Sequence, residues 1–420
     1  MHRILRLVLF VGIAFLVMPA QAQLSLPEVQ RRAIERSRQL AAQDAAVVAS
    51  REIAVAATQL PDPVLKLGVD NLPANGPDRF SLTRDFMTMR RIGLMQELTR
   101  GKKRELRGQK FEREADKSAA EKDAALAAIQ RDSALAWLER YYAEAMAGVL
   151  AEQTAQVRTE IIAAEGAYRG GRASQADVFA AHTTLAALEE RASEYASRIR
   201  VAKANLARWI GEGADAPLAA PPAMDAVRLA TGALEAHLAG HPEIAVLAQQ
   251  EQIAATEARI AQAARTPDWT VELAYQQRGP EFSNMVSLGV SVPLPWDRAN
   301  RQDREIASKL AMAEQARAQR EEMLRAHVGE VRAMLEEWQN KRERLGRYER
   351  DLTPLARERT RAALAGYQGG KASIGDLLMA RRNESDVRMQ AVQLEMEAAR
   401  LWAKLSFLLP DHNVHAGNAK

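Results

Sequence analysis

Tyr168-Arg-Gly-Gly-Arg-Ala-Ser-Gln-Ala-Asp177 and Tyr367-Gln-Gly-Gly-Lys-Ala-Ser-Ile-Gly-Asp376 decide the fold. The second stretch begins 199 residues after the first and repeats its Tyr, both Gly, and its Ala, Ser and Asp. In each, a glycine pair can take the left-handed conformation that ends a helix. In each, Ser is followed three residues later by Asp, an acidic form of the capping box that opens a helix. Both are therefore turns of helical hairpins. A second echo, Pro61-Asp62 with Pro267-Asp268, recurs at an offset of 206. Two echoes at nearly one offset argue for a duplicated chain.

Around these turns the two halves share one plan: helix, two strands, very long helix, tight turn, shorter helix. Residues 23–220 make the first repeat, 221–410 the second, and 411–420 a polar tail. Ala-rich stretches with charges at helical intervals predict helices over 27–60 and 242–265. The long helices run over 104–167 and 303–366, each about 64 residues and ~95 Å at ~1.5 Å per residue. Such lengths need a coiled-coil neighbour rather than one globular core. In the first, Leu126, Ile129, Ala136, Trp137 and Tyr141 form an apolar stripe. The return helices cover 174–210 and 374–409. The fold class is thus mainly α with a small β part.

The strands show period-2 alternation. Trp269, Val271, Leu273 and Tyr275 alternate with Thr270, Glu272, Ala274 and Gln276. In 285–294 the even positions are Val286, Leu288, Val290, Val292 and Leu294, and the odd ones Met285, Ser287, Gly289, Ser291 and Pro293. Leu65, Leu67 and Val69 alternate with Lys66, Gly68 and Asp70, and Ile92 and Leu94 continue the pattern within 87–98. One apolar and one polar face over about 8–10 residues suits a membrane-spanning strand. Four strands close no barrel, and lipid tolerates no open edge, so chains must pool their strands. Three chains would give twelve strands; two or four also satisfy this argument. A half-buried sheet in a soluble coiled-coil scaffold is the rival from another class.

Composition narrows the classes. Of 420 residues, 58 Lys+Arg nearly balance 54 Asp+Glu, and a net +4 is no nucleic-acid footprint. The absence of Cys removes disulfides, thiolate zinc sites, cysteine nucleophiles and lipid attachment at an N-terminal Cys. Arg3 and Arg6, the apolar run 7–18 and Ala20-Gln-Ala22 read as a secretory signal over 1–22. No later run of 18 apolar residues predicts a membrane helix. His237 with His241, His412 with His415, and Met87, Met89 and Met95 are pairs and clusters without further ligands at usable spacing, so no metal site and no cofactor are expected. No phosphate loop, G-x-S-x-G or H-E-x-x-H motif is present, and no enzyme is expected.

The doubled plan, the two Tyr-x-Gly-Gly-x-Ala-Ser-x-x-Asp turns and Val290-Ser-Val-Pro-Leu-Pro295 resemble a TolC-like outer-membrane factor over about 27–410. The resemblance implies a homotrimer in the outer membrane. Its twelve-stranded barrel would continue into a long periplasmic α-helical tunnel, working with a periplasmic adaptor and an inner-membrane RND pump. Asn71-Leu-Pro-Ala-Asn-Gly-Pro-Asp-Arg-Phe80 and Phe86-Met-Thr-Met-Arg-Arg-Ile-Gly-Leu-Met-Gln-Glu97 resemble the heavy-metal efflux branch, the CusC- and CzcC-like proteins. Drug efflux and type I secretion remain alternatives on the same fold. By resemblance, Tyr367, Asp376 and Asp177 fall on the periplasmic gate. Tyr168, Gly170, Gly171, Ser174, Gly369, Gly370 and Ser373 fall on adaptor-docking hairpin tips. Two gate positions depart from the pattern: Ala372, beside Lys371, stands for an arginine, and Met379 for an acidic residue.

Overall fold

A computed structural model describes residues 23–227 and 234–412. The signal segment expected at 1–22 and most of the polar tail, with His415, lie outside the described residues. The order is α1 (Leu26–Arg36), α2 (Arg38–Ala57), β1 (Val64–Asp70), β2 (Met89–Leu98), α3 (Gly101–Arg169) and α4 (Gln175–Ile210). The second repeat follows with α5 (Leu234–Ala239), α6 (Pro242–Ala264), β3 (Trp269–Gln277), β4 (Met285–Ser291), α7 (Gln302–Arg347), α8 (Thr353–Gln368) and α9 (Ile374–Ser406).

Three expectations change in detail. The helix over 27–60 is two, because Ser37 turns extended and its hydroxyl caps the second by accepting from Leu40 N–H. A local side-chain acceptor there competes with continuing the helix. The helix over 303–366 is interrupted by a π turn, Tyr348–Leu352, just before Pro354. Proline has no N–H and crowds the carbonyl four residues back, so the ladder widens by one residue to pass it. The strand over 285–294 stops at Ser291, two residues before Pro293. The short α5 falls where periodicity predicted none.

The chain forms two compact units that cut across the repeats. One holds the described residues up to Arg32, with Ser133–Ala223 and Leu355–Gln393; the other holds Ala33–Asp132, Met224–Pro354 and the described residues from Leu394. In the first, Trp137, Leu138, Tyr142, Met146, Leu150 and Val157 of α3 are buried. From Leu138 on they recur at four and then seven residues, the stripe that faces a helical neighbour. Trp137 Nε1–H donates to Leu24 O at 2.9 Å, so the largest buried ring also has its polar atom satisfied. Arg140, 2% exposed, donates to Ala214 O at 2.6 Å and pairs with Glu144 at 2.7 Å.

In the second unit the strands form one antiparallel sheet, β1-β2-β3-β4, in which β2 and β3 join the repeats. Leu65↔Leu94↔Leu273↔Leu288 and Leu67↔Ile92↔Tyr275↔Val286 stand opposite one another. They make one continuous apolar face, and it is bare: Leu67, Val286 and Leu288 are each more than 70% exposed. Beneath the sheet, Asp268 accepts from Arg100 N–H at 3.0 Å and pairs with the largely buried Lys103 at 2.7 Å, tying the start of α3 to that of β3. Among the described residues no helix is long and apolar enough to cross a membrane.

Candidate gate at the hairpin tips

Both tips lie in the first unit, and both are built by the same hydrogen bonds. At the end of α3, Arg172 N–H reaches Ala167 O at 2.8 Å and Gly171 N–H reaches Tyr168 O at 2.9 Å. At the end of α8, Lys371 N–H reaches Gly366 O at 2.8 Å and Gly370 N–H reaches Tyr367 O at 3.0 Å. This is the Schellman ending, whose penultimate turn residue is left-handed. Gly171 (φ 70°) and Gly370 (φ 69°) fill that place, which charges an L side chain ~1–2 kcal/mol. Gly170 and Gly369 continue the helix end, their N–H groups bonding Gly166 O and Ala365 O.

The return helices start with matching caps. Ser174 Oγ accepts from Asp177 N–H at 3.2 Å, and Asp177 Oδ2 accepts from Ser174 N–H at 2.9 Å and its hydroxyl at 2.7 Å. Ser373 and Asp376 repeat this at 3.1, 3.0 and 2.7 Å. The serine hydroxyl and then its backbone N–H hold each carboxyl below the usual aspartate range, so both are ionised at neutral pH. Tyr168 is half exposed, and with Glu165, Arg169, Gln175, Val178 and Phe179 it lines a groove of about 270 Å³ on the first tip. Tyr367 is partly buried, Lys371 exposed, Ala372 partly buried and Met379 63% exposed.

Thus the structure gathers the predicted residues into two local clusters, 168–177 and 367–376, with both aspartates as caps. It also reveals ties between the hairpins that spacing could not show. Arg381 of α9 pairs with Glu160 of α3 at 2.9 Å, Arg388 with Glu152 at 2.7 Å, and Asp386 with Arg191 of α4 at 3.4 Å. The partners are about two hundred residues apart, and single charges on long helices carry no local signal of pairing. Burial pushes the Glu160 carboxyl up, against the opposing pull of Arg381. Arg388 holds the more exposed Glu152 down despite some burial.

The histidines regroup. His241 packs not with His237 but against His327, ring centroids 4.2 Å apart with the rings tilted at 52°, and its Nδ1 caps α6 by accepting from Glu243 N–H. Among the described residues, no three His, Cys, Asp or Glu are placed to hold a metal ion.

Residues 233–409 match the outer membrane efflux protein family. Among curated protein sequences, none matches significantly. Solved structures match across the chain. VceC of Vibrio cholerae is 20% identical, with 91% of this chain and 95% of that chain covered and a TM-score of 0.74. CusC is 16% identical, with 92% of each covered and a TM-score of 0.76. The CmeC channel of Campylobacter jejuni is 13% identical, with 93% and 88% covered and a TM-score of 0.77. CusC forms a transmembrane channel, and CmeC is an outer membrane channel. An outer membrane efflux protein domain thus lies over the second repeat, and over its length the chain has the fold of these outer-membrane proteins.

Proposed function

We propose that this chain is the passive exit duct of a tripartite pump, working as a homotrimer with a periplasmic adaptor and an inner-membrane RND pump, and that its cargo is heavy-metal cations. The observation that carries the duct is the sheet: its apolar face is exposed at Leu65, Leu67, Ile92, Leu94, Leu273, Tyr275, Val286 and Leu288, and β1 and β4 are open edges. Neither survives alone in lipid. The strands alternate in direction, so β4 of one chain meets β1 of the next antiparallel, and an even barrel closes. Three copies make twelve strands. Exposed Val48, Ile53 and Val55 on α2, and Leu310, Met312 and Met323 on α7, offer further apolar surface to a neighbouring chain.

The groove beside Tyr168, with Phe179 61% exposed, suits adaptor docking at the first tip. Tyr367, Asp376 and Asp177 form the gate, where carboxylates gathered about one axis would favour cations. The cargo assignment rests on the likeness of 71–97 to the heavy-metal efflux branch. Native mass measurement and crosslinking in detergent test the assembly; a stable monomer refutes it. Deleting the gene is expected to raise sensitivity to copper, silver, zinc, cobalt or cadmium more than to hydrophobic drugs. The reverse pattern would move the cargo to drugs and leave the duct standing.

A further inference from the structure

The polar face of the sheet carries a charge cluster that neither gate nor tips use. Lys66 on β1 reaches over β2 to Glu272 on β3, with Nζ 2.6 Å from Oε2. The register explains the reach. Lys66 stands opposite Gly93, and Gly93 opposite Ala274. With no side chain at Gly93, the lysine stem crosses the middle strand unobstructed. A Cβ at Gly93 would meet that of Ala274 at 3.1 Å, so a larger residue there would crowd the neighbouring strand. Arg91 on β2 takes the other oxygen of Glu272, Nη1 to Oε1 at 3.6 Å, and sits 3.4 Å from Asp70. One carboxylate therefore faces two cations drawn from the other repeat.

We propose that Glu272 sets the ion selectivity of the barrel lumen by neutralising Lys66 and Arg91. The proposal rests on the duct reading, under which the apolar face meets lipid and the polar face meets water. Lys66, Arg91, Asp70 and Glu272 cancel. Without Glu272 the cluster becomes positive in every chain of the ring. Charges on the wall of a narrow aqueous path act on passing ions within a screening length of ~8–10 Å. Glu97 shares the face near the periplasmic end of β2 and is a constant background in each variant.

The full-length protein, reconstituted in planar lipid bilayers under a KCl gradient, tests this by its reversal potential. Glu272→Gln keeps the size and a hydrogen-bond acceptor for Lys66. It is expected to lower the potassium-over-chloride permeability ratio about twofold or more, since a positive wall charge repels potassium and attracts chloride. Lys66→Gln is expected to raise the ratio, and the double variant to return it close to the unmodified value. Mere disruption of the sheet would move both single variants the same way. A shift of both in one direction, or no shift in either, overturns the proposal. Absence of any conductance from the unmodified protein would instead sink the duct reading, and the proposal with it.

Discussion

The two repeats have the same ends and different shafts. Their tips share the left-handed glycine, the Schellman bonds and the Ser-Asp cap, the second adding a bond from Ala372 N–H to Gly366 O at 3.1 Å. Between sheet and tip, however, α3 runs unbroken for 69 residues, whereas the second shaft passes through a π turn before Pro354. Trp137 of α3 is fully buried with its N–H donated, while Trp338 of α7, 5% exposed, has a buried indole nitrogen without a hydrogen-bond partner. The helices leading into the sheet differ too: Ser37 caps α2, and His241 caps α6. Duplication preserved what a sharp turn requires of its backbone. It left free what a long helix takes from its surroundings.

The largest expected effect breaks the symmetry of the shafts. Trp137→Ala should destabilise the protein by ~3–5 kcal/mol, as for other buried aromatic rings. Trp338→Ala should cost about 1 kcal/mol less, because it breaks no hydrogen bond of its own. Chemical denaturation of both variants in detergent checks this; equal costs would show that the two shafts bear load alike.

The caps make the next contrast. Burial, then the neighbouring His327 and Arg131, press the His241 pKa from 6.5 down to about 4, although the Leu408 carbonyl pulls the other way. The unfolded chain takes up this proton near 6.5 and the folded one only near 4, so between them the unfolded state binds more protons. Stability therefore falls as pH drops through that window, by up to ~3 kcal/mol from this group. His241→Asn installs a neutral cap in the manner of Ser37 and should flatten the slope between pH 6.5 and 4.5, read from denaturation midpoints. An unchanged slope would place the acid sensitivity elsewhere.

The smallest effect on stability sharpens the likeness of the tips. Nothing lies within 4 Å of a Cβ built at Gly171 or Gly370, so a substitution there meets backbone strain alone. Gly171→Val and Gly370→Val should each cost ~1–2 kcal/mol and by similar amounts. If the tips dock the adaptor, both should lose efflux while the channel still reaches the outer membrane at normal abundance. Normal efflux from both variants would leave the turns purely structural.

Much of this fold was legible in the residues because it is locally encoded. Gly-Gly followed by Ser-x-x-Asp specifies a turn through the conformational freedom of glycine and the hydrogen-bond reach of a short side chain. Alternation at 65–70 and 269–276 specifies which strand face is apolar, since successive side chains point to opposite sides. Ser37 and Pro354 carried their breaks in plain sight, yet the surrounding helical periodicity outweighed one residue in the reading.

Pairings across two hundred residues were not legible. Glu160 with Arg381 and Lys66 with Glu272 depend on which helix or strand becomes whose neighbour, and a lone charge on a long element does not announce its partner. His237 and His241 looked like a pair by spacing, but packing set His241 against His327. By itself, the sequence determined the duplication, the turns and the two-faced strands, because those follow from backbone sterics and side-chain alternation within a few residues. Only the tertiary structure decided the sheet order, the ties between hairpins and the charge cluster on the polar face, because Coulomb and packing terms act through space, whatever the distance along the chain.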